Sequence, residues 1–134
     1  MAKSWIPPEN KLCGCKPKIM VVEDTEFNLV TVVNLIKKLT SAEVIEAQNG
    51  KIAVDKFKEY NSKLCNCQNR AFKLIVMDLQ MPIMDGYQAS KIILSQKAPP
   101  VSIVALTSYT TELSRNRSLK NGMKEVYHKP ISYI

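Results

Sequence analysis

Short apolar runs alternate with longer amphipathic ones along most of the chain. Lys18–Glu23 (KIMVVE) is a continuous apolar run of strand length, the pattern of a strand buried on both faces. Thr25 follows as a helix N-cap, with Asn28 rather than Glu or Gln three residues on, so no full capping box is expected. Phe27, Val30, Val33 and Ile36, with Leu29 and Val32, then predict a wide apolar helix face running to Leu39. Glu43–Ala47 reads as a short strand, and Asn49-Gly50 turns the chain into a helix bearing Ala53, Val54, Phe57 and Tyr60. Phe72–Asp78 (FKLIVMD) is a third strand, again of buried type.

Met81-Pro82 and Asp85-Gly86 predict a tight loop, because Pro fixes φ and Gly permits positive φ. A helix from about Tyr87 to Ser95 ends before Pro99-Pro100, and Val101–Thr107 (VSIVALT) is a fourth strand. A weaker helix runs from about Thr110 to Asn121 and stops at Gly122. Glu125–Lys129 is a fifth strand, closed by Pro130. Five strands separated by helices imply a parallel sheet with right-handed crossovers, the doubly wound α/β class. Residues 1–17 form a Pro-, Cys- and Lys-bearing extension, and 18–134 form one domain.

Composition adds little to this picture but excludes several classes. Hydrophobic content of 46% with 23% charged residues is ordinary for a globular protein. No apolar run is long enough to cross a bilayer, and the first residues (MAKSWIPPEN) lack the apolar stretch of a signal peptide, so a cytoplasmic chain without membrane contact is expected. A net charge of +7 would suit an acidic partner such as nucleic acid. No nucleic-acid-binding motif accompanies it, so a lysine-rich solvated surface is the better reading.

In a doubly wound sheet, ligands bind beyond the C-terminal ends of the strands. The residues there are Glu23 and Asp24, then Asp78, Thr107 and Lys129. Taken singly, each has an ordinary explanation: Asp24 as a turn former, Thr107 as a helix cap, Lys129 as a surface lysine. Their joint placement at one rim is what points to chemistry. Carboxylates gathered there repel one another unless a cation neutralises them, and hard oxygen ligands suit Mg²⁺ with its waters and a phosphate oxygen. A phosphoryl group would find Asp78 as nucleophile, Lys129 and Mg²⁺ to offset its charge, and the Thr107 hydroxyl as a hydrogen-bond donor.

VVEDTEFN (Val21–Asn28), VMDLQMPIMDG (Val76–Gly86), ALTS (Ala105–Ser108) and HKPIS (His128–Ser132) resemble the receiver domains of two-component response regulators, above all those attached to hybrid histidine kinases. The resemblance covers residues 18 to 132. It implies the flavodoxin-like strand order 2-1-3-4-5 and an aspartyl phosphate on Asp78. It also implies Mg²⁺ held by Asp24, Asp78 and the Gln80 backbone carbonyl, with Glu23 acting through water. Thr107 and Lys129 would sense the phosphate, and the Lys129–Pro130 bond is frequently cis in the family. The donor would be a phosphohistidine on a histidine kinase or a histidine phosphotransfer protein. Such a domain is a switch within a phosphorelay rather than a turnover enzyme.

The chain departs from the family pattern in three places. The aromatic that follows phosphorylation in the family sits three residues before the lysine, where this chain has Val126, and Tyr127 should face the opposite side. Tyr109 lies two residues after Thr107, where the family tunes access of the hydrolysing water. Ile134 comes four residues after Pro130, which leaves no room for the usual fifth helix. Either the chain is a piece of a longer protein, or the extension carrying Trp5, Ile6 and Leu12, or a partner, covers the exposed sheet face.

Four cysteines form two CxC pairs, Cys13/Cys15 and Cys65/Cys67, each preceding a strand. In the receiver topology those strands are neighbours, so both pairs should meet at the rim opposite Asp78, about 20 Å from it. A structural Zn²⁺, reduced thiols and disulfides are the alternatives. His128 reads as an exposed strand residue, so the chain would receive phosphate rather than form phosphohistidine. Arg115, Arg117, Lys120 and Lys124 crowd the fourth helix and its following loop, as a site for an acidic downstream partner or as a solvated face.

Two further functions compete with the phosphoacceptor. A degenerate receiver would keep the fold and serve only as a protein-interaction module, against which stands the retention of all five rim residues. An aspartate-nucleophile phosphatase needs a second Asp two residues after the nucleophile, where Gln80 stands, and a flavin phosphate would be repelled by Glu23 and Asp24. The bulk of Tyr109 should slow loss of phosphate, so Tyr109→Ala is expected to dephosphorylate faster. An unchanged half-life of the phosphorylated chain would refute this.

Overall fold

The computed structural model describes residues 15–63, 71–108 and 110–129. Five strands, β1 (Lys18–Val22), β2 (Glu43–Ala47), β3 (Phe72–Asp78), β4 (Ser102–Thr107) and β5 (Glu125–His128), alternate with α1 (Glu26–Leu39), α2 (Gly50–Asn61), α3 (Gly86–Leu94) and α4 (Glu112–Lys120). All pairings are parallel and the strand order is β2-β1-β3-β4-β5, so the doubly wound α/β expectation holds.

The period-2 alternation of strand side chains divides the core into two layers. Met20 and Val22, Ile75 and Met77, and Ile103 and Ala105 face α2 and α3, where Ala53, Val54, Phe57, Ala89 and Ile93 meet them. Val21, Val76 and Leu106 face the other way, onto Leu29, Val32 and Val33 of α1. Among the described residues α1 alone packs on that second face, and Val44, Leu74 and Val104 there are only partly buried.

That one-sided cover corrects one expectation. Phe27 is 78% and Val30 49% exposed, so the buried face of α1 is narrower than its apolar stripe. A helix buries only the flank turned to the sheet, and these two residues lie off it. Thr25 caps α1 without a side-chain hydrogen bond. Asn49 caps α2 by accepting from the Ile52 amide at 2.9 Å, and Asp85 caps α3 by accepting from Gln88 at 2.8 Å. On β5, Val126 is buried and Tyr127 half-exposed, on opposite faces as expected. Lys18, within the first apolar run, is buried and paired with Glu43 at 2.8 Å across β1 and β2.

The loop between β3 and α3 is fastened at both ends. The Gly86 amide donates to the Leu79 carbonyl at 2.9 Å, and the Gly50 amide donates to the Met84 carbonyl at 3.1 Å. Between them Ile83 adopts φ 73°, unusual for a β-branched residue, and is 80% exposed. A Cβ on Gly86 would lie 2.2 Å from the Asp78 carbonyl oxygen and 2.9 Å from Met77 Cγ. Gly86→Ala should therefore lower stability by roughly 2–3 kcal/mol through overpacking against β3. Urea unfolding should show a lower midpoint at unchanged slope, and a midpoint equal to wild type would contradict the close approach.

Candidate functional site

Parallel register brings the strand ends to one rim. Val22 pairs with Met77, Asp78 with Leu106 and Thr107 with His128, so the residues at or just past these positions are neighbours. Glu23, Asp78 and Thr107 are buried, Asp24 is exposed and Lys129 is half-buried. Glu23, Asp24 and Asp78 each offer a carboxylate oxygen, all within 4.8 Å of one another. Lys129 Nζ lies 2.6 Å from Glu23 Oε1 and 3.2 Å from Asp78 Oδ1. The Lys129 amide donates to the Thr107 carbonyl at 2.8 Å, which ties the lysine's backbone to the end of β4. Gln80 stands on the exposed loop two residues beyond Asp78.

Glu23 is held by its own surroundings. Its amide donates to the Ala47 carbonyl, and Oε2 accepts from the Thr25 amide at 3.1 Å. Oε1 is buried and receives no aligned hydrogen bond, so the Lys129 ammonium beside it is an ion contact without hydrogen-bond geometry. Burial, and after it the Glu23 charge, push the Asp78 carboxyl up from 3.8 to about 7, against the pull of Lys129. Burial pulls the Lys129 ammonium down, but the Glu23 and Asp78 carboxylates outweigh it and hold the lysine above its ordinary value.

Three carboxylates facing one ammonium leave an excess of two negative charges when all are ionised. A divalent cation answers that excess, and hard oxygen donors at this spread suit hydrated Mg²⁺. Glu23 Oε1 is already taken by the Lys129 ammonium at 2.6 Å, so the ion would answer the remaining carboxylate charge. The residues present therefore fit the ion.

Other expected residues fall elsewhere. Tyr109, Pro130, Cys13, Cys65, Cys67 and the extension with Trp5, Ile6 and Leu12 lie outside the described residues. Cys15 is partly buried, and no finding supports zinc at the four cysteines. Arg115, Arg117, Lys120, Lys124 and His128 are all exposed. Among the described residues no helix is long and apolar enough to cross a membrane. One feature escaped the sequence reading: Thr111 and Ser114 form a reciprocal capping box at the start of α4, with Ser in place of the Glu or Gln that marks such boxes.

Comparison with known proteins places the chain in a family. The response regulator receiver domain matches residues 19–133, and the chain belongs to that family. Sensor histidine kinase GacS of Pseudomonas protegens is 31% identical over 129 residues, 93% of this chain but 13% of the kinase. The chain thus spans about an eighth of that relative. The receiver domain of sensor histidine kinase PA1611 from Pseudomonas aeruginosa, solved with a magnesium ion in its active-site cleft, is 26% identical with a TM-score of 0.72 over 88% of both chains. The receiver domain of Saccharomyces cerevisiae Ssk1, solved with the histidine phosphotransfer protein Ypd1, is 27% identical with a TM-score of 0.70, covering 88% of this chain and 81% of that one. Receiver domains of this kind are signalling components of two-component and phosphorelay systems.

The raised carboxyl has a consequence for stability. An acid whose folded value of about 7 exceeds its unfolded 3.8 costs nothing when protonated below pH 4, and its penalty grows up to pH 7 and stays above it. In EDTA the chain should thus lose on the order of 2 kcal/mol between pH 5 and pH 8, after discounting for coupling within the site. Asp78→Asn should flatten this slope, as should added Mg²⁺. Equal slopes for wild type and Asp78→Asn in denaturant titrations would contradict it.

Proposed function

We propose that the chain, a receiver domain over 18–134 preceded by the 1–17 extension, accepts a phosphoryl group from a phosphohistidine onto Asp78. The observation that supports this reading is the meeting of Asp78 with Glu23, Asp24 and Lys129 at a single rim. An Asp78 oxygen attacks phosphorus, the P–N bond to the donor imidazole breaks, and its electron pair returns to the ring nitrogen. Lys129, already against Asp78, follows the charge onto the phosphoryl oxygens, and the Thr107 hydroxyl donates a hydrogen bond to the product. Asp24, Asp78 and the Gln80 carbonyl would hold Mg²⁺, with Glu23 through water, and the ion would supply neutralisation of the charge on the phosphoryl oxygens.

The donor is a histidine kinase or a histidine phosphotransfer protein, a partner class supported by the Ypd1 complex of the related receiver. The exchange is assigned to the cytoplasm, a reading supported by the absence of a membrane-length apolar helix among the described residues. The domain acts as a switch of partner interactions, not as a turnover enzyme. A purely structural receiver would retain neither the crowded carboxylates nor the lysine between them, since each costs desolvation energy.

The test is incubation with Mg²⁺ and acetyl phosphate, read by intact-mass spectrometry. Wild type should gain one phosphoryl group, and EDTA or Asp78→Asn should abolish the gain. Lys129→Ala should slow labelling by about 10²-fold, the usual loss for one electrostatic partner of a transferring group. Labelling that persists in Asp78→Asn would sink the assignment.

A further inference from the structure

The positive charge of the chain is unevenly spread. Between Asp85 and Glu125 stand six basic residues, Lys91, Lys97, Arg115, Arg117, Lys120 and Lys124, against the single acid Glu112. That stretch holds a surplus of five within the chain's net +7. All six bases are exposed. The two arginines are engaged within the molecule: Arg115 Nη1 lies 2.6 Å from Glu125 Oε1 on β5, and the Arg117 guanidinium sits 3.9 Å from the ring centre of Tyr87 on α3. Among the described residues the four lysines have no acidic partner.

Two of those lysines border one groove. The helix α3 follows the loop after β3, and α4 leads into β5, so both end at the edge of the sheet opposite the Asp78 rim. There Lys91, Leu94, Ser95, Lys120, Asn121 and Gly122 line a groove of about 670 Å³. Leu94, its one apolar side chain, is 38% exposed and lies against Gly122, where an added Cβ would come within 2.5 Å of Leu94 Cδ1. Ser95 and Asn121 turn their donors to their own helices. The Ser95 hydroxyl donates to the Ile92 carbonyl at 2.6 Å, and the Asn121 amide donates to the Arg117 carbonyl at 2.8 Å. The groove therefore offers two free ammonium groups and one aliphatic patch.

A lysine in the last turn of a helix is favoured by the helix dipole, which accounts for Lys91 and Lys120 one at a time. It does not account for a surface without an acid at hand. Glu112 stands at the other end of α4, about 12 Å along its axis from Lys120, and Glu125 is bound to Arg115. Lysines so placed repel one another, and an acidic ligand relieves that repulsion. The concave form suits a chain segment better than a flat bilayer. Among the described residues no aromatic side chain lines the groove, so it offers no platform on which a nucleobase could stack.

We propose that this groove docks an acidic segment of a partner protein, with carboxylates on Lys91 and Lys120 and an aliphatic side chain between them on Leu94. The nine residues of α3 set Leu94 roughly 12 Å along the helix from Gly86, so the dock is separate from the phosphoacceptor rim and does not rest on that reading. The exposed lysines draw the segment in and make its binding sensitive to salt, while the aliphatic contact selects among acidic sequences.

The probe is a fluorescein-labelled peptide of Glu and Asp with a central leucine pair, titrated with the full chain and read by anisotropy. Wild type should bind it, and more weakly as salt rises. Lys91→Glu with Lys120→Glu should weaken binding about tenfold or more, because like charges then face the peptide. Lys91→Gln with Lys120→Gln should show a smaller loss in the same direction. Lys37→Glu with Lys38→Glu removes the same charge from the exposed last turn of α1 and should stay within about twofold of wild type. A peptide with serines in place of the leucines should bind about threefold to tenfold less tightly. Urea midpoints report whether each variant is folded. No binding by wild type, equal losses at the two lysine pairs, or a serine peptide that binds as well would overturn the dock. So would tighter binding of a single-stranded oligonucleotide or of phosphatidylserine vesicles through the same lysines. Phosphorylation of Asp78 is read separately, so either result leaves the phosphoacceptor reading intact.

Discussion

Repulsion among three carboxylates is the constraint on which the architecture turns. Glu23 and Asp78 are both buried, within reach of each other and of Asp24, and among the described residues Lys129 is the cation paired with them. Such an arrangement would drift apart on flexible loops. Here it is held by the ends of β1 and β3, adjacent strands in a parallel ladder whose backbone bonds fix where each side chain starts. The rigidity of the central sheet is thus what lets the rim keep charge that would otherwise disperse. The same charge makes a divalent ion a fitting occupant under the proposed function, and Lys129 with that ion would offset the charge that a phosphoryl group brings.

The rest of the molecule is built unevenly around that rim. Toward α2 and α3 the sheet is covered by a continuous layer of apolar side chains, from Met20 through Phe57 to Ile103. This layer anchors the loop after β3 and therefore the setting of Asp78. At the far side of the sheet, α4 relies on charge and π contacts instead. Contacts of that kind are weaker than buried apolar area and respond to their electrostatic surroundings.

Much of this was legible in the sequence, for physical reasons. Phe72–Asp78 has the expected bounds because a buried parallel strand gives a compact apolar run, and Glu43–Ala47 has them on the sheet edge, where Glu43 and Glu46 stay exposed. The rim residues followed from topology, since parallel strands send their C-terminal ends to one side. Phe27 and Val30 misled because an apolar stripe reports what a helix could bury, not how wide its neighbour is. The Lys18–Glu43 pair depends on strand register, and the Arg117–Tyr87 stack on how two helices sit across the sheet, neither of which residue spacing encodes. The upward shift of Asp78 is a matter of ångströms and burial, and no pattern of letters carries it.

Ile83 shows how the loop beside Asp78 behaves. A branched side chain at φ 73° costs about 1–3 kcal/mol of backbone energy, and an unrestrained segment would relax out of it. The bonds from Gly50 to Met84 and from Gly86 to Leu79 deny it that escape. The segment is accordingly a stiff bracket rather than a flap, and it gives Asp78 one wall that keeps its place.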